Sequence, residues 1–198
     1  MRVKGMKKNE RNCMSRISSI QNDIDRIPIH EHAFMKSTDV IFLEEVRDLC
    51  KQNKCGMYGS SWACPPAVGS IEECRAQCLA YERAFMFTTA TKVESRYDVK
   101  GWIHAREEHE KLTDHVADIF RSCCTGSLLL STEGCLLCKA CTYPNAPCRF
   151  PNRMYPATEG YGILVLQTAK ACNIKYNNGV DTITYFSMVF FNADYGTI

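Results

Sequence analysis

Lys54 to Ala90 reads KCGMYGSSWACPPAVGSIEECRAQCLAYERAFMFTTA, and within these residues the chain passes from loop to helix to strand. Residues 54–69 are rich in Gly, Ser and Pro, a composition that rules out a regular element and leaves a loop whose conformation something must hold. Ser70 stands three residues before Glu73, the spacing of a capping box, so a helix is predicted from there to about Tyr81, with Cys74 and Cys78 on one face. Ala84 to Ala90 then reads as a buried strand.

The same alternation continues on both sides. Phe42, Val46 and Leu49 recur at helical spacing, which predicts a short helix delivering Cys50 at its C-terminal end. Downstream, His104 to Cys123 reads as an amphipathic helix with Leu112, Val116, Ile119, Phe120 and Cys123 on its inner stripe. Leu128 to Leu130 is a second strand, Gly134 to Pro156 has turn composition, Ile163 to Cys172 is helical, and Thr182 to Phe191 is a last strand. Helices alternating with apolar strands predict an α/β or α+β fold: a single compact domain with a mixed sheet, helices packed on it and two cysteine-rich metal-binding loops. Residues 1–27 are polar apart from a short helical pattern at Ile17, Ile20 and Ile24, and are expected to be a flexible lead or docking segment ahead of a domain spanning 28–198. No repeat of fixed period is present.

With 24 basic and 22 acidic residues, a net charge of +2 gives no electrostatic reason to expect a nucleic-acid partner. No stretch approaches the roughly 18 apolar residues of a membrane span. The basic start, Arg2 to Arg11, lacks the apolar run of a signal peptide, so a cytoplasmic location is expected. Thirteen cysteines are the feature that needs a reason. Their number is odd, no signal sequence precedes them, and a core of this size needs no disulfide staples; in a reducing compartment such clusters hold metal.

Two constellations carry that chemistry. Cys135-x2-Cys138-x2-Cys141-x6-Cys148 places three thiolates at the tight spacing by which one loop wraps the corner of a cubane cluster, with Cys148 as the nearest fourth ligand. Zinc would accept four cysteines too, but its structural sites usually pair two C-x2-C knuckles across a longer gap. The second constellation is Cys50-x4-Cys55-x8-Cys64, in a loop with Tyr58 and Trp62. Its fourth ligand is open: Cys74 or Cys78 would serve, yet both also belong to an apolar helical stripe with Ile71 and Tyr81, where cysteine acts as a small hydrophobe. Lys54, Lys139, Arg149 and Arg153 flank the loops and would stabilise a negative cluster. Cys13, Cys123, Cys124 and Cys172 lie outside both groups. The histidines form no His-x3-His or His-Glu-x2-His pattern, and the nearest glycine cluster, Glu159-Gly160-Tyr161-Gly162, is no dinucleotide fingerprint.

Cys55-Gly-Met-Tyr58-Gly59-Ser-Ser-Trp62-Ala-Cys64-Pro65-Pro66 follows the pattern C-x-x-Y-G-x-x-W-x-C-P-P. With Gly134-Cys135-Leu-Leu-Cys138-Lys-Ala-Cys141, then Pro147-Cys148-Arg149-Phe-Pro151 and Pro156-Ala-Thr-Glu159-Gly-Tyr-Gly162-Ile163, it resembles a bacterial and archaeal family of predicted metal-binding proteins of unassigned function, from about Cys50 to Phe191. Members often carry Ser-Met-Glu where this chain has Ala157-Thr158-Glu159, which keeps the glutamate and removes the serine. The resemblance implies metal binding in a prokaryotic cytoplasm and supplies no reaction. Three functions are therefore expected to compete: an electron carrier with one or two 4Fe–4S clusters and a redox partner protein, an enzyme with one iron open to substrate, or a zinc-stabilised binding module.

Overall fold

The computed structural model describes residues 8–95 and 97–192, with side chains from residue 16 onward. The basic start at residues 2–7 and the side chain of Cys13 lie outside the described residues. In chain order the elements are α1 (Lys8–Ile24), β1 (Glu31–Lys36), α2 (Glu44–Lys51), α3 (Ile71–Leu79), β2 (Arg83–Lys92), α4 (Val99–Cys123), β3 (Ser127–Leu130), α5 (Val165–Ala171) and β4 (Thr182–Phe191), with 3-10 turns at Ser37–Asp39 and Glu159–Tyr161.

The four strands form one sheet in the order β1-β2-β4-β3, and every neighbouring pair is antiparallel. Of the two expected classes this is α+β, and the sheet is antiparallel where a mixed one was expected. The long β2–β4 pair runs in unbroken register from Arg83↔Phe191 to Lys92↔Thr182. Strand side chains alternate between faces, and here both faces are covered. Ala84, Met86, Leu130, Phe186, Met188 and Phe190 pack towards Cys74 and Cys78 of α3, Val165 and Ala169 of α5, and Tyr161 and Ile163. Phe85, Phe87, Leu129, Val189 and Phe191 pack against Val116, Ala117 and Phe120 of α4 and Ile20 and Ile24 of α1. Each fully buried phenylalanine in this set contributes about 2–3 kcal/mol of apolar burial.

Residues 8–24 thus form a helix, and Ile20 and Ile24 are wholly buried. The Ile17, Ile20 and Ile24 stripe seats this helix on α4. Helix α4 begins at Val99, earlier than the apolar pattern indicated, because the Asp98 carboxylate caps it by accepting from the Gly101 amide at 2.9 Å. Helix α3 starts at the predicted capping box, with Glu73 N–H donating to Ser70 Oγ at 3.1 Å and Ser70 N–H donating to Glu73 Oε2 at 2.7 Å. No helix among the described residues is long and apolar enough to cross a membrane.

Candidate metal centres

Both cysteine-rich loops come together beyond the end of β3. The chain leaves β3 at Leu130, pairs Ser131 with Ala157 in a parallel bridge, and between those residues throws out the long turn that carries Cys135 to Cys148. The loop after α2 reaches the same place, and the Ala157 amide donates to Ala63 O at 2.9 Å. Trp62 crosses between them: its Nε1–H donates to Ala146 O at 3.1 Å, and its ring meets Tyr143 edge to face at 4.9 Å.

Cys135, Cys138, Cys141 and Cys148 all line one cavity of about 440 Å³, together with Trp62 and Tyr143. The Phe150 amide donates to Cys148 Sγ at 3.4 Å. Burial raises the Cys135 thiol, and the Leu137 amide offsets part of that rise. Cys141 receives more. Burial raises its thiol, but the amides of Tyr143, Trp62 and Thr142 and the Ser61 hydroxyl outweigh it and bring the thiol below its ordinary value. Such donors stabilise the thiolate, the form that ligates metal. Ser61 and Trp62 belong to the first loop, so the C-x-x-Y-G-x-x-W-x-C-P-P stretch completes the surroundings of a cysteine in the second. Sequence spacing carried no signal for that.

Cys50, Cys55 and Cys64 line a second, smaller cavity of about 190 Å³, shared with Met57, Tyr58, Glu133 and Glu159. Cys50 sits at the end of α2, and Asn53, with φ of 51°, turns the chain back so that Cys55 follows at once. The Cys64 thiol is pushed up to about 12, first by burial and then by Cys55, Cys50, Glu159 and Cys135. Cys50 is raised by burial and next by Glu159, and Glu159 itself is raised by burial. Desolvation and crowded potential anions act together here, so the cavity favours a cationic occupant. Cys74 and Cys78 stand elsewhere. Both are fully buried in the core cluster of α3, and the Cys74 thiol donates to Val68 O at 3.3 Å while Arg47 Nη1–H points at its sulfur at 3.7 Å.

The two cavities share a wall. Met57 lines both, and Cys64 and Cys135 belong to one small apolar cluster with Ala63, Ala157, Met57 and Met154. Gly134 permits this approach, because a Cβ there would meet Met57 Cγ at 2.6 Å. Among the described residues, no three His, Cys, Asp or Glu side chains converge as ligands of a single metal ion. The cysteines are distributed about cavities instead.

Two buried arginines hold the walls, and neither stands out in the sequence. Arg47 of α2 donates to Gly160 O at 2.5 Å and Gly69 O at 2.7 Å. Arg106 of α4, only 5% exposed, pairs with Glu110 and Glu133 and also donates to Gly134 O. Behind Arg106 runs a polar seam: Glu110 Oε1 accepts from Ser131 Oγ at 2.8 Å, Ser187 Oγ donates to Ser131 Oγ at 3.2 Å, and His109 shares hydrogen bonds with Ser187 at 2.8 Å and Thr89 at 2.9 Å. Burial, then the nearby Arg106 charge, lowers His109 to about 3, so it is neutral.

For a 4Fe–4S group the donor set of the larger cavity fits: four thiols from one loop, with the Phe150 amide donating to Cys148. The smaller cavity offers three thiols and two carboxylates. No curated protein and no solved structure matches this chain. Residues 33–191 match the family model described as "Predicted metal-binding protein (DUF2284)", and the chain belongs to that metal-binding family.

Proposed function

We propose that this chain is an iron–sulfur protein that exchanges single electrons with a partner protein, holding a 4Fe–4S cluster on Cys135, Cys138, Cys141 and Cys148 and a second cluster at Cys50, Cys55 and Cys64. The observation that carries the reading is that Cys135, Cys138 and Cys141, at C-x2-C-x2-C spacing, line one cavity together with Cys148, whose sulfur accepts from the Phe150 amide at 3.4 Å. When bound, such a group supplies reversible one-electron transfer. A cubane core takes its four thiolates on four different irons, so its ligands surround a volume rather than meet at one atom. Four cysteines lining one cavity suit that geometry.

The chain's own residues have definable tasks in this account. The donors at Cys141 and Cys148 offset the charge of those sulfurs. Trp62 and Tyr143 cover part of the larger cavity and limit water access to it. Lys139 and Arg149 are exposed on its rim beside Leu136 and Phe150, both also exposed, and an acidic partner surface would meet this patch with favourable charge. The wall shared through Met57, Cys64 and Cys135 makes the smaller site a neighbour of the larger one, as a two-centre relay requires. A reducing cytoplasm would keep the thiols available.

Iron and acid-labile sulfide, measured on protein purified without oxygen and on a Cys138→Ser variant, test the reading. About eight irons and eight sulfides per chain are expected, falling towards about four of each in the variant. A stoichiometry of one or two zinc ions with no sulfide would replace this function with that of a zinc-stabilised binding module.

A further inference from the structure

The smaller cavity holds three cysteines, one fewer than the irons of a cubane core, and the arrangement offers a different donor for the fourth. Neither Cys74 nor Cys78 lines the cavity; both are packed into the core of α3. Of the two carboxylates that do line it, Glu133 is engaged by Arg106 and its side chain is 51% exposed. Glu159 has no ion-pair partner among the described residues. The Thr158 hydroxyl donates to its Oε2 at 2.9 Å.

The backbone that presents Glu159 is fixed relative to Cys50. Glu159 opens the 3-10 turn Glu159–Tyr161, which closes on Gly162 in the left-handed region at φ of 77°. Arg47, three residues before Cys50 on α2, donates to Gly160 O inside that turn, and Leu43 N–H donates to Gly162 O at 2.8 Å. Helix α2 and the turn therefore form one unit, with Cys50 and Glu159 on the same cavity. A carboxylate without an ion-pair partner beside three thiolates is unfavourable in an apolar cavity, and a cationic metal centre would offset that charge.

We propose that Glu159 supplies an oxygen ligand to one iron of a cluster whose other three irons are bound by Cys50, Cys55 and Cys64. The inference rests on the iron–sulfur reading above. A hard carboxylate oxygen among soft thiolates is the replaceable member of the set. This iron is then the position where a small Lewis-basic substrate, bearing a carboxylate, hydroxyl or thiol, enters the 190 Å³ cavity. The cluster on Cys135, Cys138, Cys141 and Cys148 would serve electron exchange, and the one with the replaceable Glu159 ligand substrate binding.

Wild type, Glu159→Gln and Glu159→Cys, each isolated without oxygen, are to be compared by iron and sulfide content, by Mössbauer spectroscopy, and by EPR after mild oxidation. In wild type, one of about eight irons is expected to show mixed oxygen and sulfur ligation. Glu159→Cys abolishes that signature with iron content retained. Glu159→Gln, which keeps the side chain's shape, loses about one iron per chain on oxidation, faster than wild type, and develops a 3Fe–4S EPR signal. Mössbauer spectra and oxidation rates unchanged in both variants overturn the Glu159 assignment and leave the iron–sulfur function standing. So does a wild type holding only about four irons, all lost in Cys138→Ser. A wild type without iron overturns both.

Discussion

The two cysteine cavities use the same donor element in opposite surroundings. Around Cys135 to Cys148 the cavity is the larger, the four thiols come from one loop, and hydrogen-bond donors answer the sulfur charge at Cys141 and Cys148. Around Cys50, Cys55 and Cys64 the cavity is small, the thiols come from a helix end and a loop, and the near neighbours are carboxylates and other thiols. At Cys141 the amide and hydroxyl donors favour the thiolate, the form that ligates metal. Desolvated carboxylates and thiols make an unoccupied site costly and an occupied one tight.

The comparison breaks most visibly through the smaller site's own ligands. Cys64→Ser is expected to remove the metal of that cavity alone, about half the iron, while the visible absorption contributed by the larger site persists. Loss of all iron in Cys64→Ser would show that the shared wall makes one site of two. Arg106 is the next largest lever, since it grips Glu133 on the smaller cavity and Gly134 beside Cys135 of the larger one. Arg106→Met should cost about 3 kcal/mol by leaving Glu110 and Glu133 without their cation, read as a lower denaturation midpoint, with iron lost from both cavities. A variant that loses iron from only one of them would confine the role of Arg106 to that side.

A pH series isolates the seam behind Arg106. The unfolded chain binds a proton at His109 near 6.5, whereas the native chain refuses it until about 3. Over that window the unfolded state carries the extra proton, so native stability falls as pH falls, by up to about 1.4 kcal/mol per pH unit from this group. His109→Asn should flatten the dependence of the urea midpoint on pH by that slope. Equal slopes in the two proteins would mean that His109 reaches solvent and protonates in the native state.

The smallest expected effect is Ser70→Ala. It removes the hydroxyl that accepts from the Glu73 amide and caps α3 directly after the first cysteine loop, and should cost about 1 kcal/mol. Its iron content should stay at the wild-type level, because no cysteine of either cavity lies on α3. Iron loss from this variant alone would extend the smaller site into the helix.

The parts of this molecule that short-range chemistry specifies were legible in its sequence. The capping box at Ser70 and Glu73 is a contact across three residues, and β4 announces itself as an apolar run of strand length because both sheet faces are covered. The cysteine spacing of the second loop is local too, and all four of its cysteines open on one cavity. Strand direction was not legible: β2 pairs with β4 about a hundred residues away, and no local pattern distinguishes an antiparallel neighbour from a parallel one. The same holds for the arginines. Arg47 reaches Gly160, and Arg106 reaches Gly134 from an otherwise ordinary helix, so in sequence both look like surface charges. His109 sat among the polar residues of α4, and its partners Thr89 and Ser187 lie on two strands. Cys74 and Cys78 share spacing with ligands and with core residues, and only the packing of α3 against the sheet separates the two roles.

The central claim is that these loops carry redox-active iron–sulfur clusters, and the visible spectrum of the full chain isolated without oxygen, recorded before and after dithionite, tests it most directly. The account predicts a brown protein with broad absorption that bleaches on reduction and returns on reoxidation, the response of a one-electron centre. A colourless protein whose spectrum does not respond to dithionite would contradict it.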